Sequence, residues 1–467
     1  MKTVAVHNLG CKVNGYELDV MVQKLKEAGY TLVPFTQKAD VYVINTCTVT
    51  NIADRKSRQM LHRAKEMNPN AVVVAVGCYV ETDEKRVEED PAIDLAIGNN
   101  KKGQIAQLLS AYLADREDDP ERKILDGRTM EDLTEHPAFE DMQLTQPEHT
   151  RAYVKIQDGC NQFCTYCIIP MARGRIRSRD MDEILEEITG LAQRGIREVV
   201  ITGIHIGSYG RDWGKSPEEE LIALLTRIQM VKGIERIRLG SLEPMTITEN
   251  FVRHIAGLSK VCPHFHLSLQ SGCDRTLRRM NRHYSAEEFR RCTQILRRYY
   301  DRPALTTDVI VGFPGETEED FRESADFVRS IGFFELHVFK YSRRHGTVAD
   351  RMPEQLTDRE KSKRSAVLLA MAKEGADAYR AQFIGERDTA LLEEKISLGG
   401  RDYYTGHTSR YIEVLVAESE AMQALCASSG EQVCGRNLCG VFTAAEPGTG
   451  YLHLSPAERD SLKSRNE

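Results

Sequence analysis

Residues 155–175 read KIQDGCNQFCTYCIIPMARGR and place Cys160, Cys164 and Cys167 at C-x3-C-x2-C spacing directly after a β-like segment. Three closely spaced thiolates can hold three irons of a four-iron cluster and leave the fourth iron without a protein ligand. An open metal position is what separates a catalytic site from a closed structural one. Zinc is the plainer alternative, but it would want a fourth Cys or His nearby, and none follows within the next turn.

Outward from this stretch, strand-like and helix-like segments alternate. The strand-like segments are YVKIQDG, EVVITGI, RIRLGSLEP, PHFHLSLQSG, ALTTDVIVGFPG and ELHVFKYS, separated by stretches such as DEILEEITGLAQRG and SAEEFRRCTQILRR. The pattern predicts an α/β unit, a partial parallel (β/α)6 barrel over residues 151–378, with its chemistry at the carboxyl ends of the strands. The polar residues there are His205 and Ser208 after the second strand, Ser241 and Glu243 after the third, and Gln270 and Ser271 after the fourth. Asp308, Gly312 and Glu316 mark the fifth strand, Tyr341 and Arg343 the sixth. Each taken alone fits a helix cap or a turn equally well. Gly203 and Gly312 suit a close approach of backbone to ligand. A lone His205 reads more naturally as a hydrogen-bonded structural residue than as an acid or base.

Upstream, Thr3 to Asn8, Val41 to Asn45 and Ala71 to Val76 read as buried strands with helical segments between them, a parallel βαβαβ sheet. Cys11 (LGCKVN), Cys47 (NTCTVT) and Cys78 (VGCYV) each follow one of those strands. Singly, each would pass for a buried thiol. Three equivalent strand ends predict convergence at one sheet edge and a second cluster with three protein thiolates.

Between residues 113 and 150 a charged stretch with Pro120, Pro137 and Pro147 reads as a linker and surface excursion. Beyond the helical TDREKSKRSAVLLAMAKEGADAYRAQFIG, period-two segments with Gly-rich turns predict a small β-barrel over 379–447, followed by a tail, 448–467. Tyr403, Tyr404, His407 and Tyr411 in it could stack on unpaired bases or be ordinary β-formers. Cys262, Cys273, Cys292, Cys426, Cys434 and Cys439 are taken as structural thiols.

With 467 residues the chain calls for two to three domains. It is 28% charged and holds no apolar run long enough to span a bilayer. Its start reads as a strand rather than a signal peptide. Twelve cysteines then fit metal ligands and buried thiols in a reducing, cytoplasmic setting better than disulfides. A net charge of −7 argues against indiscriminate nucleic-acid binding. Arg173, Arg175, Arg177 and Arg179 nevertheless follow the thiol triad, where an anionic substrate would approach. The later run from Arg275 to Arg298 reads as solvated helix faces.

LGCKVN, NTCTVT and VGCY, GCNQFCTYCIIP, and TGHTSRYIEV together resemble the methylthiotransferase family of radical S-adenosylmethionine (SAM) enzymes over nearly the whole chain. The resemblance implies a methylthiotransferase domain over 1–112, the radical SAM barrel, and a C-terminal TRAM-like RNA-binding barrel. It implies two 4Fe–4S clusters, a SAM-cleaving one on Cys160, Cys164 and Cys167 and an auxiliary, sulfur-carrying one on Cys11, Cys47 and Cys78. Two SAM molecules would serve each turnover, one cleaved to a radical and one donating methyl. SAM contacts are expected at Gly203, Ser241, Glu243, Gln270 and Gly312. RNA contacts are expected at Arg173, Arg175, Arg177, Arg343, Tyr404, His407 and Tyr411. The implied partners are a tRNA anticodon stem-loop and an electron donor such as flavodoxin or ferredoxin.

NTCTVTNIADRKSRQ, IPMARGRIRSR and TGIHIGSYG look most like the branch acting on N6-threonylcarbamoyladenosine at position 37 of tRNA. Sister branches act on N6-isopentenyladenosine or on a ribosomal-protein aspartate, and a non-catalytic iron–sulfur RNA binder is the rival from another class. The chain departs from the family at Gly15, where a larger polar residue is usual, and at RRHGTVAD in place of a proline-containing run. The implied chemistry is coherent, because an adenine C2–H bond is not acidic and has no leaving group, so a cofactor radical is required. The base must also leave its stack, at a cost of a few kcal/mol.

Overall fold

VYVINT and VVVAVG are largely apolar and buried over their whole length, as a strand covered on both faces requires. The computed structural model places them at the centre of a five-stranded parallel sheet, and it describes residues 2–118, 130–133, 135, 137–147, 149–426 and 432–457. The strands are β1 (Thr3–Asn8), β2 (Thr31–Val33), β3 (Val41–Thr46), β4 (Val72–Gly77) and β5 (Leu95–Ile97), in the order β2-β1-β3-β4-β5. The short edge strands β2 and β5 escaped the sequence reading because three residues carry too little periodicity. Asn8 pairs with Asn45, and Thr46 with Gly77, so β1, β3 and β4 end level with one another. Cys11, Cys47 and Cys78 therefore leave the sheet at one edge. Helices α1 (Lys12–Glu27), α2 (Asn51–Met67) and α3 (Cys78–Thr82) start there.

The central unit contains six parallel strands: β6 (Ala152–Asp158), β8 (Glu198–Gly203), β9 (Arg236–Leu239), β10 (His264–Gln270), β11 (Ala304–Val311) and β12 (Glu335–Lys340). A short antiparallel strand, β7 (Arg177–Ser178), flanks β6. The ladders run β7-β6-β8-β9 and β10-β11-β12, and bridges Ile237 to Val261 and Leu242 to Leu267 join them into an open barrel, as the six-repeat pattern predicts. Strands β13 (Arg387–Leu398), β14 (Arg401–Thr408), β15 (Glu413–Ala417), β16 (Asn437–Ala445) and β17 (Leu452–Pro456) close a separate small barrel in the order β13-β14-β15-β17-β16. No helix among the described residues is long and apolar enough to cross a membrane.

Three boundary expectations need correction. Residue 112 falls inside the helix Ile105–Asp118, and residue 378 inside the helix Asp358–Ala381. The described end of the 113–150 stretch is no surface excursion. Met142 and Leu144 are buried in the central core, the Tyr16 hydroxyl donates to the Met142 carbonyl at 2.6 Å, and Thr145 N donates to Gln23 at 2.7 Å. This strap fastens α1 to the barrel. Pro120, the middle of that stretch, and the end of the 448–467 tail lie outside the described residues.

The small barrel docks on the amino ends of β8–β10. Arg238 donates to Glu198 at 2.7 Å and to the Ser409 and Thr408 carbonyls, while Arg236 donates to the His407 and Thr389 carbonyls. Burial alone would raise the Glu198 carboxyl, but Arg238, Arg236 and Arg151 override it and hold it at about 2. A carboxyl depressed in the folded state stabilises fully above its unfolded pKa, about 4.3, and that stability is lost as pH falls toward 2. Replacing Glu198 by Gln leaves buried cations unpaired and is expected to cost about 3–5 kcal/mol. Earlier release of the C-terminal barrel in limited proteolysis at pH 7 is the readout.

Candidate active site

The loop after β6 is shaped for its three thiols. Gly159 has φ +71°, and a Cβ there would collide with the Arg175 carbonyl, so only glycine lets the chain turn back on itself. Cys160 N donates to the Gly174 carbonyl, Cys167 N to the Cys164 carbonyl, and Thr165 N to the Met280 carbonyl. Asn281 adds a side-chain bond to the Phe163 carbonyl at 3.1 Å. Cys160, Cys164 and Cys167 share one space. Burial, reinforced by Cys164, pushes Cys160 up to about 11 and Cys167 to about 12. Arg282 donates to Cys164 Sγ at 3.1 Å and ion-pairs with Glu243, while its Nε donates to the Tyr284 hydroxyl at 3.1 Å.

Cys11, Cys47 and Cys78 converge as the strand ends predict. Burial, then the neighbouring thiols, push Cys47 up to about 12, and enclosure likewise raises Cys11, which still reaches solvent. Asn99 donates to Cys78 Sγ at 3.6 Å and to the Ala172 carbonyl at 2.6 Å, tying this edge to the segment after the other triad. On the far side, Arg344 bonds Thr48 and Asn51 and faces Asp54 at 3.7 Å. Asn51 N donates to Ser342 at 2.9 Å. The segment RRHGTVAD, a departure from the family pattern, thus grips the Cys47 loop. Gly15, the other departure, has room for a Cβ, at an ordinary 3.5 Å from Tyr153.

Each triad is a set of crowded sulfur donors that repel one another as thiolates, and a metal cluster at its centre would relieve that repulsion. Fixed cations already flank both. Arg282 lies on Cys164, and the charge of Arg173 acts on Cys11 and Cys47. The residues fit two clusters. A pocket of about 210 Å³ is shared by the two halves: its wall includes Val49 and Thr50 from the Cys47 loop and Tyr166, Gln270, Asp308 and Tyr341 from the barrel.

Three of the four arginines after the first triad are not where an RNA could meet them. Arg173 is fully buried and bonds Glu17, Asp158 and Asn14, and Arg177 is buried on the Arg173 carbonyl and near Asp158. Arg179 is likewise buried against Glu187. Arg173 ends a short helix, Arg177 opens the two-residue strand β7 and Arg179 follows it, and each turns inward to a buried carboxylate, which the sequence does not announce. Only Arg175, lying over the half-exposed Phe163 at 4.5 Å, and the exposed Arg343 keep open positions. The stacking residues also require correction. Tyr404 belongs to the C-terminal barrel core. Tyr411 stacks between His407 (4.3 Å) and His264 (4.9 Å), with Arg151 and Arg238 over its ring, and so cements the domain junction.

Of the strand-end set, Gly203 abuts Gln157, Ser241 is exposed, and Gln270 has φ +65° and lines the shared pocket. Glu243 is engaged by Arg282, and Gly312 N donates to Glu316 at 2.6 Å. His205 is buried with neither ring nitrogen bonded among the described residues, and burial, with Arg211 and Arg282, brings it down to about 4, neutral at pH 7. Arg282 went unrecognised because it sits in an Arg-rich run, and Arg344 because its partners Asn51 and Thr48 lie 293 and 296 residues away. Of the structural thiols, Cys262, Cys273 and Cys292 are buried, but Cys426 and Cys439 are exposed.

Two family models match the chain: the radical SAM superfamily over residues 154–328, and the uncharacterized protein family UPF0004 over residues 3–98. The solved radical SAM methyltransferase TsrM from Kitasatospora setae shares the fold over 74% of this chain and 76% of its own, with a TM-score of 0.55 at 16% identity. The barrel with its thiol loop is that of a radical SAM enzyme. Among curated relatives, the threonylcarbamoyladenosine tRNA methylthiotransferase MtaB of Bacillus subtilis is 40% identical over 90% of this chain and 92% of its own. The tRNA-2-methylthio-N(6)-dimethylallyladenosine synthase of Pelotomaculum thermopropionicum is 32% identical over 86% and 89%. The ribosomal protein uS12 methylthiotransferase RimO of Dictyoglomus thermophilum is 33% identical over 85% and 88%. This chain belongs to the methylthiotransferase family of radical SAM enzymes, transferases that use SAM and two 4Fe–4S clusters.

Proposed function

We propose that the protein methylthiolates N6-threonylcarbamoyladenosine at position 37 of tRNA, beside the anticodon, in the cytoplasm. The observation that carries this reading is the pocket walled jointly by the Cys47 loop, through Val49 and Thr50, and by the carboxyl ends of the barrel strands, with Tyr166 of the other thiol loop. A base held there would lie against Val49 and Thr50, which follow Cys47, and against Tyr166, which precedes Cys167. Cys160, Cys164 and Cys167 would hold the SAM-cleaving cluster, and Cys11, Cys47 and Cys78 the auxiliary one. When bound, these groups supply the radical and sulfur chemistry that side-chain acids and bases cannot.

The chain's own residues do the rest. Arg282, fixed by Glu243 and Tyr284, keeps a positive charge on Cys164. Gly203, Ser241, Gln270 and Gly312 stand at the strand ends where SAM would lie. Arg344 ties the Cys47 loop to the segment that follows β12. The tRNA anticodon stem-loop is the proposed partner, and a flavodoxin- or ferredoxin-type protein the electron donor.

At the rim, Phe163, Met171 and Val348 are exposed around a pocket of about 350 Å³ that also contains Arg175, Cys164 and Cys167. Phe163 with Arg175 takes over the stacking role expected of the C-terminal tyrosines. Arg175→Ala and Arg343→Ala are each expected to lower the salt slope of stem-loop binding by about one and to weaken binding to all sequences alike. Anisotropy titrations at several salt concentrations measure this.

The reading is tested by incubating cluster-loaded protein with SAM, a reductant and stem-loops carrying threonylcarbamoyl- or isopentenyladenosine, followed by nucleoside mass spectrometry. Product from the threonylcarbamoyl RNA alone supports it. Product only from the isopentenyl RNA replaces the substrate.

A further inference from the structure

Polar residues alternate with apolar ones on three neighbouring barrel strands. Leu267, Leu305, Val309 and Leu336 pack into the core with Phe289 and Phe321 of the surrounding helices. Successive side chains point to opposite faces of a strand, so His266, Thr306, Asp308, Glu335 and His337 face the other way, into the barrel. Register gathers them: His266 pairs with Thr306, Thr306 with Glu335, and Asp308 with His337. His266 Nε2 lies 3.2 Å from Asp308, and its ring stacks on His337 with centroids 5.7 Å apart. Further along the same strands, Gln270, Ile310 and Phe339 join Asp308 in the wall of the shared pocket, so the cluster adjoins that pocket from inside the barrel.

One ligand atom from each of His266, Asp308 and His337 lies within 4.8 Å of the others. Two imidazoles and a carboxylate suit a divalent first-row metal and leave coordination positions open. Ligands of one ion sit about 2.0–2.2 Å from it, so the 3.2 Å between His266 Nε2 and Asp308 is a separation that two ligands of a shared ion can keep. Only His337, exposed on the last strand of the ladder, has to draw closer. His266 is already oriented as a ligand is, because its Nδ1 lies 2.9 Å from Thr306 Oγ1 and leaves Nε2 for a metal. Charge favours a cation as well. Asp308 and Glu335 place two carboxylates on this face, and among the described residues no lysine or arginine comes within ion-pair distance of either, the Lys12 ammonium acting on both only from further away.

We infer that His266, Asp308 and His337 form a divalent-metal site inside the barrel, distinct from both cysteine triads. One ligand comes from each of β10, β11 and β12, so the ion ties the three-stranded ladder together. Thr306 positions His266, and Glu335 supplies the second negative charge. The remaining coordination positions take water or an oxygen atom of a molecule in the adjoining pocket. The site offers no sulfur, and imidazole with carboxylate selects a single ion such as Mn(II), Fe(II) or Zn(II) over an iron–sulfur cluster.

Mn(II) is the probe, because nitrogen and oxygen ligands hold it and thiolates do not select it. Cluster-loaded protein is titrated with Mn(II); the EPR amplitude of the free ion gives the bound fraction, and pulsed EPR reads nitrogen couplings on the bound ion. The native chain is expected to bind one Mn(II) with coupling to two imidazole nitrogens. Thr306→Val, which removes only the hydroxyl behind His266, is expected to weaken binding about 10- to 100-fold. His337→Phe, at an exposed position, should keep its iron content while losing one nitrogen coupling and binding at least that much more weakly. The two variants lie on different strands, so a folding defect in one leaves the other to decide. Bound Mn(II) without imidazole coupling in the native chain, or with coupling and affinity unchanged in both variants, is surface binding only and overturns the site. So does the lack of a stoichiometric Mn(II) site in the native chain.

Discussion

Cys164→Ala is expected to abolish both SAM cleavage and methylthiolation, whereas Cys47→Ala abolishes methylthiolation and leaves SAM cleavage measurable. The asymmetry follows from the architecture. Cys164 belongs to the barrel loop, where Arg282 donates to its sulfur, and a four-iron cluster with two remaining thiolates loses a protein ligand it cannot replace. Cys47 leaves β3 of a different sheet, and its loop is held by Ser57, which exchanges hydrogen bonds with the Cys47 backbone at 3.1 and 2.9 Å. Removing that thiol leaves the barrel loop and its bonds to Gly174 and Met280 intact. 5′-Deoxyadenosine release and methylthio-nucleoside formation, measured on the same samples with iron content as a loading check, separate the two roles. Product formation by Cys47→Ala would remove the N-terminal triad from the chemistry.

The second large effect concerns the seam between the N-terminal sheet and the barrel. Glu17, fully buried on α1, receives Lys155 at 2.7 Å and Arg173 at 2.7 Å, and also pairs with Lys102. Burial would raise its carboxyl, but Arg173, Lys102 and Lys155 override that and hold it well below the usual carboxylate range. Glu17→Gln would leave Lys102 without its carboxylate and Lys155 and Arg173 with Asp158 as their shared partner, and is expected to cost about 3–5 kcal/mol. The stabilisation is complete above the unfolded carboxylate pKa of about 4.3 and fades only as pH falls through the depressed folded value. The variant should therefore be much less stable than the native chain at pH 7, and the gap should narrow in strong acid. Denaturant titrations across pH provide the measurement. Because Arg173 also acts on Cys11 and Cys47, loss of iron from the auxiliary site should accompany the destabilisation.

What the sequence made legible was periodicity and spacing. C-x3-C-x2-C after a strand, three strand-end cysteines and six strand–helix repeats are local signals, and the structure gathers those residues as read. The arginines failed for a different reason. Arg173, Arg177 and Arg179 pair with Glu17, Asp158 and Glu187, and the Arg173–Glu17 pair spans 156 residues, so no local pattern distinguishes a buried charge from a rim charge. Tyr404 and Tyr411 failed similarly, since an aromatic on a strand shows the same pattern whether it faces core, junction or solvent. His266, Asp308 and His337 carried a usable clue, alternate polar positions in otherwise apolar strands, but only their pairing register reveals that they meet.

The most direct test of the central claim is nucleoside mass spectrometry on tRNA from cells with and without this gene. Loss of 2-methylthio-N6-threonylcarbamoyladenosine, with its unthiolated precursor accumulating and the isopentenyl analogue unchanged, is the predicted result. Persistence of that nucleoside alongside loss of the isopentenyl analogue or of a methylthiolated ribosomal aspartate would contradict it.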